Sequence, residues 1–135
     1  MFGKKPGKPQ NRIDSLIGVG TRIEGNVTFA GGLRVDGEIK GDVRAAEGEA
    51  CTLVVSEKAR IEGEIRVAHL VVNGTIVGPV HAADFLELQP RSRVTGDVHY
   101  SSLEMHLGAV VDGRLVHLGS AAEPKTVELK LATKN

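Results

Sequence analysis

The chain has 135 residues, and its 17 basic and 17 acidic side chains give a formal net charge of zero. This balance argues against bulk binding to nucleic acid, and the length suits one domain with terminal tails. The sequence holds no apolar run long enough to span a bilayer and no secretory signal segment. Its single cysteine, Cys51, cannot form an internal disulfide, which favours a reducing compartment such as the cytoplasm.

Residues 1–14 are predicted to form a disordered basic tail, because lysines, prolines and glycines dominate the segment. Phe2 followed by lysines is typical of a weak anchor in a membrane interface. Insertion of the phenyl ring would contribute about 1.5–3 kcal/mol, and each lysine about 1 kcal/mol beside an anionic leaflet. The residues predicted to bind an anionic membrane surface are Met1, Phe2, Lys4, Lys5 and Lys8. A solvated tail without a binding role remains the alternative.

Residues 15–119 repeat one unit, in which two apolar residues flank a glycine with one residue between on each side, as in Val35-Gly37-Ile39. The glycines of one series, at 25, 41, 63, 78, 96 and 113, are separated by 16, 22, 15, 18 and 17 residues. Apolar residues at alternate positions indicate short strands with one buried face, and the glycines indicate corners. A turn of this length accommodates three strands and three corners. The repeat therefore predicts an all-β fold, a parallel β-helix of about six turns.

The first turn of this solenoid should contain Leu16, Ile17 and Val19, and the last turn Leu115, Val116 and Leu118. The long step of 22 residues predicts a loop that bulges from the rod at residues 45–52. Pro79 and Pro90 should lie at corners, because a strand inside a ladder cannot lack its N–H donor.

Residues 120–135 are predicted to be a flexible C-terminal tail. Within it, Val127, Leu129 and Leu131 alternate with Glu128 and Lys130, so the segment is capable of pairing as an extra strand.

Each end of a β-helix exposes unpaired N–H and C=O groups above an apolar core, and monomeric proteins cap or charge such edges. The sequence shows no obvious capping helix at either end. We therefore expect copies of the chain to associate end to end. The predicted contact residues are Leu16, Ile17 and Val19 at one end and Leu115, Val116 and Leu118 at the other.

The sequence offers little sign of catalytic or metal-binding chemistry. Five histidines, at 69, 81, 99, 106 and 117, are spread over several turns. Stacking of successive turns could bring His81 near His99, but two imidazoles are an incomplete ligand set for a metal. Cys51 falls in the predicted loop with no base beside it. We therefore expect no catalytic residue, metal site or cofactor.

Several segments resemble the bactofilins, a family of bacterial cytoskeletal proteins. The segments that carry the resemblance are Ser15–Gly18, Gly32–Val43, Val54–Ile65, Val71–Gly78 and Gly96–Tyr100. They follow one another in the family's order and together cover roughly residues 15–115. The resemblance implies a right-handed parallel β-helix that polymerises end to end, without nucleotide, into non-polar filaments.

The first residues, Met1–Lys5, are similar to the membrane-targeting tail of many bactofilins. The resemblance therefore also implies a peripheral location on the inner face of the cytoplasmic membrane. It further implies a scaffolding role in cell shape, with cell-wall synthesis or hydrolysis enzymes as recruited partners.

Two other functions fit parts of the sequence. A left-handed β-helix acyltransferase of the hexapeptide-repeat type is suggested by Ile17, Ile23, Phe29 and Val35, which are six residues apart, but the register fails at Ile39. A monomeric β-solenoid adaptor that uses its outer faces for docking is the second alternative.

Overall fold

A computed structural model describes residues 13–46 and 50–119, together with the backbone of 125–127. Every regular element in these residues is a β-strand, and no helix occurs among them. The strands in chain order are β1 (Ser15–Ile17), β2 (Arg22–Glu24), β3 (Val27–Phe29), β4 (Gly32–Val35), β5 (Glu38–Lys40), β6 (Val43–Ala45), β7 (Thr52–Val55), β8 (Arg60–Glu62), β9 (Ile65–Val72), β10 (Thr75–Val77), β11 (Val80–Leu88), β12 (Arg93–Thr95), β13 (Val98–Tyr100), β14 (Leu103–Met105), β15 (Val110–Asp112), β16 (Leu115–His117) and β17 (Lys125–Val127).

The strands stack in parallel register on three faces, which confirms a parallel β-solenoid of about six turns. Face A contains β1, β4, β7, the second half of β9, the second half of β11, and β14. Face B contains β2, β5, β8, β10, β12 and β15. Face C contains β3, β6, the first half of β9, the first half of β11, β13 and β16.

The core consists of ladders in which one aliphatic side chain lies directly on the equivalent one of the next turn. On face B the ladder runs through Ile23, Ile39, Ile61, Ile76, Val94 and Val111. All of these except the first are buried. Branched aliphatic side chains suit this position because they fill a narrow interior and favour extended backbone.

A stack of glycines forms the corner between faces B and C. A Cβ atom built on Gly63 would overlap the carbonyl oxygen of Gly41, and one on Gly78 would overlap that of Gly63. The same corner is held by side chains that accept hydrogen bonds from the next turn. Asn26 Oδ1 accepts from the Asp42 amide at 2.9 Å, and Asp42 Oδ1 accepts from the Glu64 amide at 3.0 Å. The spacing of the glycine series is therefore the spacing of stacked corners.

Some predicted boundaries differ from the structure. Cys51, which the sequence placed in a loop, is fully buried in the core just before β7, and residues 47–49 of that loop lie outside the described residues. Strands β9 and β11 continue through the corner from face C to face A, with an irregularity between Ala82 and Phe85 in the pairing. Pro79 and Pro90 lie between strands, as predicted.

Part of the predicted C-terminal tail forms a strand. The backbone of β17 pairs antiparallel with β16, whereas all the other pairs in the described chain are parallel. The sequence pattern that suggested an extra strand runs from Val127 to Leu131, and of those positions only Val127 belongs to β17. The rest of the segment from 120 onwards lies outside the described residues.

Candidate functional sites

The two ends of the solenoid present strand edges. At the N-terminal end, β1, β2 and β3 each have a neighbouring strand on one side only within the described chain. At the C-terminal end, β14 and β15 likewise have one neighbour each, whereas β16 lies between β13 and β17. A strand edge of this kind carries backbone donors and acceptors that a further strand is able to pair with.

Exposed apolar side chains concentrate at these ends. Among the described residues the large exposed apolar side chains are Ile13, Leu16, Val19, Val77, Leu107 and Leu118. All except Val77 belong to the first or the last turn. This distribution marks the ends of the solenoid as candidate contact surfaces.

Of the three predicted N-terminal contact residues, two side chains face solvent and one packs against the core. Leu16 and Val19 are 59% and 67% exposed. Ile17 packs against the core, because it continues the inward ladder of Val35. Leu16 is in register with the exposed Arg34, so it lies on the outside of face A at the edge of the first turn.

The three C-terminal candidates also differ in exposure. Leu115 is only 1% exposed, because it stacks on Val98 inside the rod, whereas Val116 is half-buried. Leu118 is 38% exposed, and Leu107 in the same turn, which was not among the predicted contact residues, is 93% exposed. No sequence pattern singles out Leu107, because it lies in a corner outside the alternating strands.

The residues predicted to bind a membrane surface, Met1, Phe2, Lys4, Lys5 and Lys8, all lie outside the described residues. Within the described ranges, no helix has the length and apolar character that a membrane span requires.

Face B carries charges that alternate between turns on its outer surface. Arg22 is in register with Glu38, which is in register with Arg60. The Arg22 Nε atom lies 3.7 Å from the nearer Glu38 carboxylate oxygen, and Arg60 Nε lies 2.7 Å from Glu62 Oε2. These pairs are solvent-exposed, so each contributes little to stability, but alternation avoids like charges in direct register.

The outer surface of face C brings together the imidazoles that the sequence suggested. The rings of His81 and His99 stack with centroids 4.4 Å apart and an angle of 11° between their planes. Burial, together with the positive charge of Arg66 and the proximity of His99, lowers the pKa of His81 below its usual value, and Glu64 acts in the opposite direction. His81 Nε2 also lies 3.3 Å from Glu64 Oε2, so one carboxylate accompanies the two stacked imidazoles.

A second histidine cluster was not predicted. His106 Nε2 lies 3.1 Å from Glu87 Oε2 and 3.3 Å from Glu104 Oε2 on the outside of face A. Glu87 is 19 residues from His106, and only the stacking of the fifth turn on the sixth brings them together.

Comparisons with known proteins agree with the architecture. The family model described as bactofilin, polymer-forming cytoskeletal, matches residues 15–116. Two relatives from Myxococcus xanthus (strain DK1622) are each 26% identical: bactofilin BacP over 105 residues and bactofilin BacO over 102 residues. The matches cover 78% and 76% of this chain, but 42% of BacP and 78% of BacO, so the chain spans less than half the length of BacP.

A solved structure also resembles the described solenoid. The solid-state NMR structure of the cytoskeletal bactofilin BacA is similar to this chain with a TM-score of 0.69 and 33% sequence identity. The match covers 81% of this chain and all of that one. Together with the family match over most of the solenoid, this shows that the chain belongs to the bactofilin family of polymer-forming cytoskeletal proteins.

Proposed function

We propose that this chain is the subunit of a cytoskeletal scaffold that assembles end to end, without nucleotide, into non-polar filaments. The observation that carries the proposal is the coincidence of open strand edges with exposed apolar side chains in the first and last turns. Pairing of edges and burial of apolar surface both favour association. The family description as polymer-forming supports the same conclusion.

Contacts between like ends would produce a filament without polarity. A contact of first turn against first turn uses the same surface on both copies, and so does a contact of last turn against last turn. Each subunit has two different ends, so the two contacts alternate and the chain of subunits continues. Because burial of surface drives both contacts, hydrolysis of a nucleotide is not required.

The C-terminal contact would use the edges of β14 and β15 and the exposed Leu118 and Leu107. Strand β17 already occupies the outer edge of β16 in the single chain. Leu115 and Val116 would therefore support this contact from beneath, and Leu118 would provide exposed apolar surface.

The proposal includes a peripheral position on the inner face of the cytoplasmic membrane through the N-terminal tail. One tail would bind an anionic surface only marginally, but many tails on one filament would bind with avidity. Phe2→Ala, or deletion of residues 1–9, should reduce co-sedimentation with anionic vesicles and leave assembly intact. Gln10→Ala serves as the matched control in the same tail. Unchanged co-sedimentation of both variants would refute the anchor.

The cellular role that we propose is the organisation of cell shape, with cell-wall synthesis or hydrolysis enzymes recruited to the filament. This role rests on the similarity to bactofilins, and we propose no catalytic activity for the chain itself. A hexapeptide-type acyltransferase is less well supported, because the six-residue register ends after Val35 and the matched family is cytoskeletal.

Negative-stain electron microscopy of the purified full chain tests the central proposal. We expect filaments of uniform width both with and without added ATP or GTP. Compact trimers that bind coenzyme A would indicate an acyltransferase. Small single particles at high protein concentration would indicate a monomeric adaptor and would contradict the scaffold.

A further inference from the structure

Three side chains with metal-ligating atoms converge on the outside of face A, where the fifth and sixth turns meet. Glu87 on β11 and Glu104 on β14 are direct partners in the parallel register. His106 follows β14 and places its Nε2 atom 3.1 Å from one carboxylate and 3.3 Å from the other. One ligand atom from each of the three residues lies within 4.8 Å of the other two.

The charges at this position differ from those on the first three turns of face B. In the first three turns of face B, opposite charges follow one another, as in Arg22, Glu38 and Arg60. Glu87 and Glu104 are instead like charges in direct register, which is destabilising in a sheet. Within the described ranges neither carboxylate forms an ion pair with a lysine or arginine, and both converge on one imidazole. Glu87 Oε2 also accepts a hydrogen bond from Gln89 Nε2 at 3.2 Å, which is a neutral donor. No lysine or arginine among the described residues offsets the negative charge of these two carboxylates, and this favours the binding of a cation.

The spacing of the donor atoms suits one particular class of cation. Zinc in proteins has ligand distances of about 2.0–2.2 Å to nitrogen and oxygen and a tetrahedral arrangement. Two ligands of such an ion are therefore separated by about 3.3–3.5 Å. The distances from Nε2 to the two carboxylates are close to that separation before any ion is present. Calcium and magnesium would instead prefer six or more oxygen ligands.

We propose that Glu87, Glu104 and His106 form a binding site for a divalent transition-metal ion of the zinc type. The imidazole and the two carboxylates supply three ligands, and the fourth position faces solvent, since all three side chains are partly exposed. That position accepts a water molecule or a donor group from another molecule. Glu104 lies on β14 and His106 precedes Leu107, so the site adjoins the proposed C-terminal contact. All three ligands come from one chain, so binding of the ion does not require filaments.

A bound ion would join the last turn of the solenoid to the turn before it. Glu104 and His106 belong to the sixth turn and Glu87 to the fifth. In the protein alone, the His106 amide donates a hydrogen bond to the Leu88 carbonyl at 2.9 Å across the same junction. We therefore expect hydrogen exchange at the His106 amide to slow when the ion binds.

Isothermal titration calorimetry of the full chain with ZnCl₂ at pH 7.5 tests the site. We expect one tight equivalent of Zn²⁺ per chain and much weaker binding of Mg²⁺. His106→Ala and Glu87→Gln should each weaken Zn²⁺ binding by about tenfold or more. His117→Ala and Glu62→Gln are the matched controls, since both remove an equivalent group elsewhere on the surface, and neither should change the affinity. Circular dichroism checks that every variant is folded.

Two further measurements separate a built site from incidental binding by surface histidines. Co²⁺ at this site should give the visible absorption of a tetrahedral complex, and His106→Ala should remove it. Hydrogen exchange at the His106 amide should slow in Zn²⁺ for the natural sequence and not for Glu87→Gln. The proposal would be overturned if no Zn²⁺ ion binds tightly to the natural sequence. It would also be overturned if His117→Ala lowers the Zn²⁺ affinity as much as His106→Ala does. An imidazole that bridges the carboxylates without a metal would then be the correct interpretation.

Discussion

The corner between faces B and C leaves no room for side chains at the stacked glycine positions. Gly78 has a backbone φ of +143°, which residues with a Cβ rarely adopt. A Cβ at this position would also overlap the carbonyl oxygen of Gly63 in the preceding turn. The glycine is therefore required by both backbone conformation and close approach.

Gly78→Ala should destabilise the fold by about 2–6 kcal/mol, since backbone strain costs about 1–3 kcal/mol and overpacking about 1–3 kcal/mol. Gly18→Ala is the control, because a Cβ there meets no atom within 4 Å. Chemical denaturation followed by circular dichroism measures both. Equal stability of the Gly78 variant and the natural sequence would show that the corner can widen.

Protonation of His81 should make the protein less stable. Burial, and to a smaller degree Arg66 and His99, lowers the pKa of His81 in the folded state below its ordinary value of 6.5, against the effect of Glu64. The unfolded chain therefore binds the proton more readily, and stability falls as the pH drops below about 6.5. Denaturation midpoints measured between pH 7.5 and 5 should decrease, and His81→Gln should flatten the dependence more than the control His117→Gln. Identical slopes in the two variants would contradict this assignment.

Each short strand contributes one or two side chains to the inward ladders, and the long strands β9 and β11 contribute four each. The outward side chains meet solvent. Ile39 at the centre of β5 is fully buried between Ile23 and Ile61 of the adjacent turns. Its neighbour Lys40 points outwards and is exposed. Because side chains alternate along a strand, one of these two consecutive residues packs in the core and the other carries a surface charge.

Ile39→Asp should prevent folding, because an unpaired charge inside the ladder is strongly unfavourable. Its cost would take up most of a typical domain stability of about 5–15 kcal/mol. Lys40→Ala, one residue further along the strand, should change stability by about 1 kcal/mol or less. Circular dichroism and the soluble fraction after expression measure the difference. A folded Ile39→Asp protein would mean that water reaches the interior of the rod.

Among the residues that the structure describes, large exposed apolar side chains lie mainly at the two ends, and Val77 is the exception near the middle. Two different ends give two different contacts in a non-polar filament, one between first turns and one between last turns. Loss of one contact leaves the other intact.

Val19→Arg and Leu118→Arg should therefore each reduce filaments to dimers, and the double variant should give monomers. Charge repulsion and loss of apolar burial at one contact are the physical reason. Val77→Arg, which changes an exposed apolar residue away from the ends, is the control and should still form filaments. Sedimentation velocity distinguishes the species. Monomers from either single variant would indicate a polar, head-to-tail filament.

The amino-acid sequence alone determined the fold of this protein to a large extent. The series from Gly25 to Gly113 gave the length of a turn, and the alternation on either side gave the inward positions, such as Ile39 and Ile61. Both follow from local rules: a strand alternates every two residues, and a close corner excludes Cβ. A solenoid in which each turn contacts only its neighbours makes such local rules sufficient.

The tertiary structure decided what the stacking of turns brings together. The meeting of Glu87 with His106, the burial of Cys51 and Leu115, the exposure of Leu107 and the pairing of β17 with β16 are not written in any local pattern. Each of these features depends on the register between turns. That register is set by the irregular loop lengths and by the corners through which β9 and β11 continue. A shift of one residue in that register reverses which side chains face outwards, so surface clusters become visible only in three dimensions.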